Sequence, residues 1–533
     1  MRKRFSSPRT AVLAVAAALA AAAGSAAAAP PKDLDAYVAK AMQTFEAPGM
    51  SVAVVEDGKA VWAKGYGVRK LGEPAPADAH TVFPIGSNTK AFTATALAML
   101  VDEGKLSWDD KVEARLPGFQ MSDPYATGEM TVVDMLTHRS GLGLGQGDLM
   151  VFPETDFTRR EIVDHLRYLK TPRTLRSGYA YDNVLYIAAG QMVENVSGRR
   201  WEDFMHTRVF APLGMNDAKA SFGEIKPGSN AAWPHARLDG PLRGLGHIQA
   251  LGRVENIDAA APAGAINASA EDMTKWLEVQ LDRGALPDGK GRLFSEAQSA
   301  MLFTPQTIIP TGPVPGPLSA ASSSFKDYAL GFIIQDYRGH KVILHGGAVT
   351  GGISMVVLIP EKHVGFAVMT NSEEGGALRS VYFHLLDHYL GETPIDWIDA
   401  SVKARETQTA QALAAIKASP AGAPDPSKPP SLPLSGYAGT YSDPWYGTIT
   451  IRQDGAGLNI NFDRTHDMKG PLEPVRYNTF RTRFTDRTIE DAYVTFSLDA
   501  EGKVDHVSMK PISPLADFSF DFQDLSFTPV KGK

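Results

Sequence analysis

Residues 418–430 read Ala-Ser-Pro-Ala-Gly-Ala-Pro-Asp-Pro-Ser-Lys-Pro-Pro, with five prolines in thirteen positions. Each proline lacks a backbone N–H and fixes its own φ, so neither a helix interior nor a sheet centre can run through this segment. It has the composition of a linker, and the chain of 533 residues is long enough for a domain on either side of it. Beyond it the apolar period becomes two. Thr448–Arg452, Leu458–Phe462, Tyr493–Leu498 and Phe518–Phe522 alternate in this way, with turn signals such as Asp454-Gly455 and Glu501-Gly502 between them. Short strands over 433–533 predict a small antiparallel β-barrel or sandwich. The helix and linker occupy 401–432. A linker of this kind implies few contacts across it, so a chain ending near Ser419 is expected to fold without the C-terminal module.

The other end carries Arg2, Lys3, Arg4 and Arg9, then an alanine-rich run from Ala11 to Ala29. Basic residues, an apolar stretch and small residues before Ala29-Pro30 read as a secretory signal peptide, 1–28, which predicts a periplasmic or secreted protein. Four of the 53 basic residues and none of the 60 acidic ones fall in that segment. The remainder therefore carries 49 against 60, a net −11, which speaks against nucleic acid and anionic membrane as partners. No later stretch is long and apolar enough to suggest stable membrane insertion. There is no cysteine, so an exported fold relies on its core and not on disulfides.

Chemistry concentrates at Ser87-Asn88-Thr89-Lys90, at the mouth of the apolar run Ala91–Leu100. Good helix formers without a breaker predict a buried helix there. A serine at its start has free backbone N–H groups beside it, and a lysine at i+3 lies on the same helix face. A partly desolvated lysine loses its proton more readily and can take one from the hydroxyl. Ser-x-x-Lys alone is weak evidence. A second copy, Ser323–Lys326, lies in a Pro/Ser-rich stretch with no helix behind it, and is read as non-chemical. Ser87 has partners downstream. Tyr181-Asp182-Asn183 is the chain's only Tyr-x-Asn, offering a phenol for proton transfer and a carboxamide for substrate. His345-Gly346-Gly347-Ala348 follows the strand-like Lys341–Leu344, and an N–H at Ala348 could join that of Ser87 as an oxyanion hole.

Together these motifs resemble the serine β-lactamase and penicillin-binding protein superfamily, in its class C-type branch with D-amino-acid peptidases and esterases. Thr131–Leu142, Pro212-Leu213-Gly214-Met215 and Ser269–Met273 match further family landmarks in order, so the likeness runs from about Leu34 to Leu390. It implies that Ser87 is acylated, Lys90 relays its proton, and Tyr181 acts as base or acid. It also implies that Asn183, His345, Gly346, Gly347 and Ala348 bind substrate, Ala348 through the second oxyanion N–H. His345 stands where the penicillin-recognising relatives carry lysine. A histidine is mostly neutral near pH 7, which favours neutral esters, amides or peptides over β-lactams.

The implied fold class is α+β: over 34–400, an antiparallel sheet flanked by helices with an all-helical subdomain, followed by the C-terminal barrel, which resembles a lipocalin-like module. Met50–Val55 and Ala60–Tyr66 flank Asp57-Gly58 as a hairpin, and strands are expected near Leu330–Phe332, Ile343 and Val364–Met369. Helices are expected over 88–103, 184–197 and 379–391. Gly141, Gly143, Gly145 and Gly147 read as a flexible loop near the cleft, not a nucleotide loop. His384 and His388 have zinc-compatible spacing without a third ligand, so no metal or other cofactor is expected. The absence of a Gly-x-Ser-x-Gly elbow argues against an α/β-hydrolase. The leading reading is an exported serine hydrolase acting on small-molecule or peptide substrates. A true β-lactamase or D,D-carboxypeptidase, or a non-catalytic sensor, is the alternative.

Overall fold

A computed structural model of the protein describes residues 29–252, 257–287, 289–419 and 424–530; the expected signal peptide lies outside the described residues. Helix α1 (Leu34–Phe45) leads into a hairpin of β1 (Gly49–Glu56) and β2 (Lys59–Gly67). Asp57 and Gly58 turn it with φ of +48° and +71°, the positive pair that a two-residue hairpin loop requires. Helices α2 (Thr89–Asp102) and α3 (Val184–Ser197) form the centre of a helical subdomain, and α4 (Ala270–Leu281) brings the chain back. The sheet is completed by β3 (Thr307–Ile308), β4 (Lys326–Tyr328), β5 (Ile333–Tyr337), β6 (His340–Val349), β7 (Gly352–Ile359) and β8 (Val364–Thr370). Its order is β2-β1-β8-β7-β6-β5-β4-β3, antiparallel throughout. Helices α5 (Gly375–Leu390) and α6 (Trp397–Ala418) follow.

Both faces of the sheet are covered, which is why β1 shows no alternation and is buried at all eight positions. Val52 and Val54 face α1, α5 and α6, packing with Phe366, Leu385 and Trp397. Ala53 and Val55 face α4 and the helical subdomain, packing with Met369 and Leu277. Helix α2 is buried from Thr89 to Leu100, as a helix apolar on every side must be. Phe92 stacks on Trp276 of α4 with ring centroids 3.6 Å apart. Among the described residues no helix is long and apolar enough to cross a membrane.

Beyond the linker, β9 (Gly439–Asp443), β10 (Gly447–Asp454), β11 (Gly457–Phe462), β12 (Lys469–Arg476), β13 (Thr479–Thr482), β14 (Ala492–Leu498), β15 (Val504–Pro511) and β16 (Ser526–Pro529) close a barrel in sequence order. Closure is made by Tyr441 opposite Pro529 and Ser442 opposite Thr528. Aromatic side chains fill the interior, Tyr437, Phe462, Phe480, Phe496 and Phe527 among them, so the centre is a packed core.

Three sequence expectations are overturned. Leu330–Phe332 is no strand: Gly331 turns with φ +82° and lies against the backbone of Lys90 and Ala91, where a Cβ would sit 2.8 Å from Ala91 Cα. Phe518–Phe522 is no strand either. Its alternation serves a loop between β15 and β16 that leaves the barrel and packs on the catalytic domain, with Phe520 against Phe152 at 5.2 Å. The domains are also not loosely tethered. His165 bonds the Trp445 carbonyl at 2.6 Å, and Arg464 lies 3.8 Å over the Phe157 ring while pairing with Asp156 and Glu161. The far end of the linker lies along the barrel, Asp425 N–H donating to Val475 O.

Candidate active site

Ser87 sits in a short 3₁₀ turn, Gly86–Asn88, that runs directly into α2. Two features hold this turn in place. Ser354 of β7 donates its hydroxyl to Ile85 O at 2.7 Å and accepts from Asn88 Nδ2 at 2.8 Å. Strand β6 presses on the turn from the side: a Cβ on Gly86 would lie 2.5 Å from Ala348 N, and one on Gly347 only 1.9 Å from Ile85 O. Two backbones meet here with no room for a side chain, and that contact sets the Ala348 backbone nitrogen against the turn that carries Ser87. Ser87 itself is half-buried and Ala348 exposed, so the turn is open to solvent on one side.

Lys90 is fully buried, and its Nζ has three acceptors: Ser87 Oγ at 3.1 Å, Asn183 Oδ1 at 2.6 Å and Ala263 O at 2.9 Å. Burial pulls its pKa down to about 7, against the opposing pull of Asp148 and Asp182. The amine is thus poised between donor and base at neutral pH. The half-buried Tyr181 ring lies 4.8 Å from Lys90 Nζ, and its hydroxyl interacts with Ser87. Desolvation raises that phenol well above 10, so it stays protonated. Tyr181 and Asn183 flank the N-terminus of α3, where Asn183 is the N-cap residue.

Other predicted site residues take different roles. His345, expected at the substrate, is 3 % exposed with both ring nitrogens engaged: Nε2 accepts from the Tyr328 hydroxyl at 3.0 Å and Nδ1 meets Gly346 O at 2.6 Å. Burial, with Lys90 nearby, lowers its pKa to about 3, so the ring is neutral and is held by partners within the fold. Asn183 is likewise committed at both ends of its amide, the Nδ2 donating to Asp148 Oδ2 at 2.8 Å. Gly346 and Gly347 act through the backbone of β6. The second Ser-x-x-Lys stays out of the site: Ser323 Oγ donates to Asp336 O. His384 and His388 bond Asp33 and Ala29 O.

Further residues support the site. His138 is a structural hydrogen-bonding residue: it accepts the Asp182 N–H on Nδ1 at 3.1 Å and packs against the rings of Tyr181, Tyr186 and Tyr328. It adopts φ +55° to do so and fixes the backbone that carries Tyr181. Asp148 and Asp182 are wholly buried carboxylates whose pKa burial raises to about 7. The glycine loop before Asp148 is pinned, not flexible: Gly145 N–H donates to Tyr181 O at 2.8 Å. Nothing local in the sequence marks Asp148 or Tyr328, because their partners lie far along the chain.

An antiparallel sheet flanked by helices, with a buried lysine against a serine at a helix mouth, defines a serine hydrolase of β-lactamase fold. The chain belongs to the beta-lactamase family, which it matches over residues 34–390; residues 423–529 match a domain of unknown function, DUF3471. It is 30 % identical over 475 residues to the unguisins hydrolase ungD' of Aspergillus campestris, covering 85 % of this chain and 84 % of that protein. In structure it is similar to the octameric penicillin-binding protein homologue from Pyrococcus abyssi (TM-score 0.59, 22 % identity, 93 % and 99 % covered). The D-amino acid amidase from Ochrobactrum anthropi SV3 aligns at TM-score 0.54 and 22 % identity, over 68 % of this chain and 99 % of that one.

Proposed function

We propose that the protein is an exported serine hydrolase that cleaves neutral esters, amides or peptides through an acyl-enzyme on Ser87. The observation that carries this reading is the buried Lys90 amine, 3.1 Å from Ser87 Oγ and with a pKa near 7. In its neutral form the amine accepts the hydroxyl proton as Oγ attacks the substrate carbonyl. The N–H groups of Ser87 and Ala348 receive the oxyanion. Tyr181, a protonated phenol, passes a proton to the leaving group as the carbonyl re-forms, and is restored by way of Lys90. Water then attacks the ester with Lys90 again the base, releasing the acid and free Ser87. The preference for neutral substrates rests on His345, which supplies no charge where the penicillin-recognising relatives have a lysine. A relative named as a hydrolase, covered over most of its length, supports the reaction class. Export rests on residues 1–28.

The test is labelling with a fluorophosphonate and with a fluorescent penicillin, followed by intact-mass spectrometry. One adduct is expected, absent in Ser87→Ala, and p-nitrophenyl esters or D-amino-acid anilides should be turned over with higher kcat/KM than nitrocefin. An adduct that persists in Ser87→Ala refutes the nucleophile. Faster nitrocefin hydrolysis refutes the neutral-substrate reading and makes the protein a β-lactamase.

A further inference from the structure

We infer that the C-terminal barrel completes the active site, its β15–β16 loop supplying Ser519 as a positioning residue that acts on Lys90 through Asp148 and Asn183. The inference rests on the acyl-enzyme reading above. Five residues form one line of four hydrogen bonds. Ser519 Oγ donates to Asp148 Oδ2 at 2.7 Å, and Asn183 Nδ2 donates to the same oxygen at 2.8 Å. Asn183 Oδ1 then accepts from Lys90 Nζ at 2.6 Å, and Nζ reaches Ser87 Oγ at 3.1 Å. An ionised carboxylate only accepts, so Asp148 decides which end of the Asn183 amide faces Lys90.

The loop grips this line from more than one side. Asp521 accepts the N–H groups of Gly147 at 2.7 Å and Leu149 at 3.0 Å, the residues on either side of Asp148. Phe518 sets its ring edge-on to Tyr181, centroids 5.7 Å apart. Its carbonyl lies so close to Gly145 that a Cβ there would be 2.6 Å away. Three side chains within four positions thus brace Lys90 through Asp148 and brace Tyr181 directly. A strand would have sent Ser519 and Phe518 to opposite faces. The loop sends both to the site.

The charges around the line give the effect a direction. Lys90 faces Asp148 and Asp182, the phenols of Tyr181 and Tyr186, and the neutral rings of His138 and His345. Asp148 faces Lys90 on one side and Asp521 and Asp517 of the barrel loop on the other. Among the described residues its other oxygen has no hydrogen-bond partner, and the Ser519 hydroxyl is one of two side-chain donors that favour its ionised form. Ionised Asp148 in turn keeps Lys90 more basic. Losing the hydroxyl lets Asp148 hold its proton to higher pH. Lys90 then loses a neighbouring anion, and its basicity falls.

The experiment compares Ser519→Ala, Ser519→Thr and Asp148→Asn in the full-length protein, with pH profiles of kcat/KM and fluorophosphonate labelling of Ser87. Ser519 is half-buried in a loop, so its two variants probe a folded chain, and a thermal melt checks that the wholly buried but nearly isosteric Asp148→Asn does too. Ser519→Ala is expected to lower kcat about ten- to hundredfold with little change in KM, as misplacing a catalytic group by about 1 Å does. Its acid limb should move to lower pH, Asp148→Asn should move it further the same way, and Ser519→Thr should restore both. Wild-type kcat and an unmoved limb in Ser519→Ala overturn the inference. So does a threonine variant as impaired as the alanine one, which marks a structural role. If wild-type Ser87 takes no label, or Ser87→Ala keeps it, the acyl-enzyme reading is what fails, and the inference falls with it.

Discussion

Replacing Gly347 by alanine tests how the oxyanion hole is built. The new Cβ would lie 1.9 Å from Ile85 O and 2.5 Å from Ser354 Oγ. Carbon–oxygen contacts settle near 3.3 Å, so β6 and the Ser87 turn must part by about 1.4 Å. Neither side gives easily. Ile85 O is held by the Ser354 hydroxyl, and β6 pairs with β5 and β7 on its two sides. Overpacking of this kind costs roughly 1–3 kcal/mol of stability, which leaves the protein folded. The functional loss should be larger. The Ala348 N–H moves with the strand, and losing one oxyanion donor costs about 10²–10³ in kcat. The assay is steady-state hydrolysis of a p-nitrophenyl ester beside a thermal melt. A fall in kcat of that size with a lowered but cooperative melt is expected. A variant within about threefold of wild-type kcat would refute the claim that this backbone contact sets the hole.

Lys90→Ala and Tyr181→Phe should each lose about 10²–10⁴ in kcat with the fold retained, checked by circular dichroism and rate. Because the Lys90 pKa is lowered from the usual lysine range to about 7, its base form grows as pH rises, so kcat/KM should climb through about pH 7 and fall away below it. A profile flat from pH 5 to 9 excludes Lys90 as the base. His345→Lys would put an unpaired cation in a buried site already holding Lys90; it should lower stability by about 3–5 kcal/mol and add no β-lactam turnover, read by denaturant melts and nitrocefin. A chain ending at Ser419 should aggregate or melt earlier, because it bares the face covered by Phe520 and Arg464 and loses Ser519; a melt and kcat equal to wild type would show the barrel to be dispensable.

Much of this protein was readable from short stretches of chain. Ser87, Lys90, Tyr181 and Asn183 lie in compact motifs at helix starts, where spacing along three or four residues already sets proximity. The Asp57-Gly58 hairpin, the buried α2 and the strands β10, β11 and β14 follow from periods of 3.6 and 2 that depend on each residue's own neighbours. Domain order was legible because five prolines cannot hide in a helix or a sheet centre.

What the sequence could not decide was where distant backbones and charges meet. Phe518–Phe522 alternates like a strand, yet its apolar side chains answer to Phe152 and Tyr181, more than 330 positions away, and not to a barrel neighbour. His345 reads as a substrate ligand, and only the fold brings the Tyr328 hydroxyl of β4 to its ring. Asp148 looks like any loop aspartate; only folding buries it between Asn183 and Ser519 and makes it matter to Lys90. Local periodicity is a property of the chain alone, whereas desolvation and hydrogen-bond partnership are properties of what the rest of the fold places around a group.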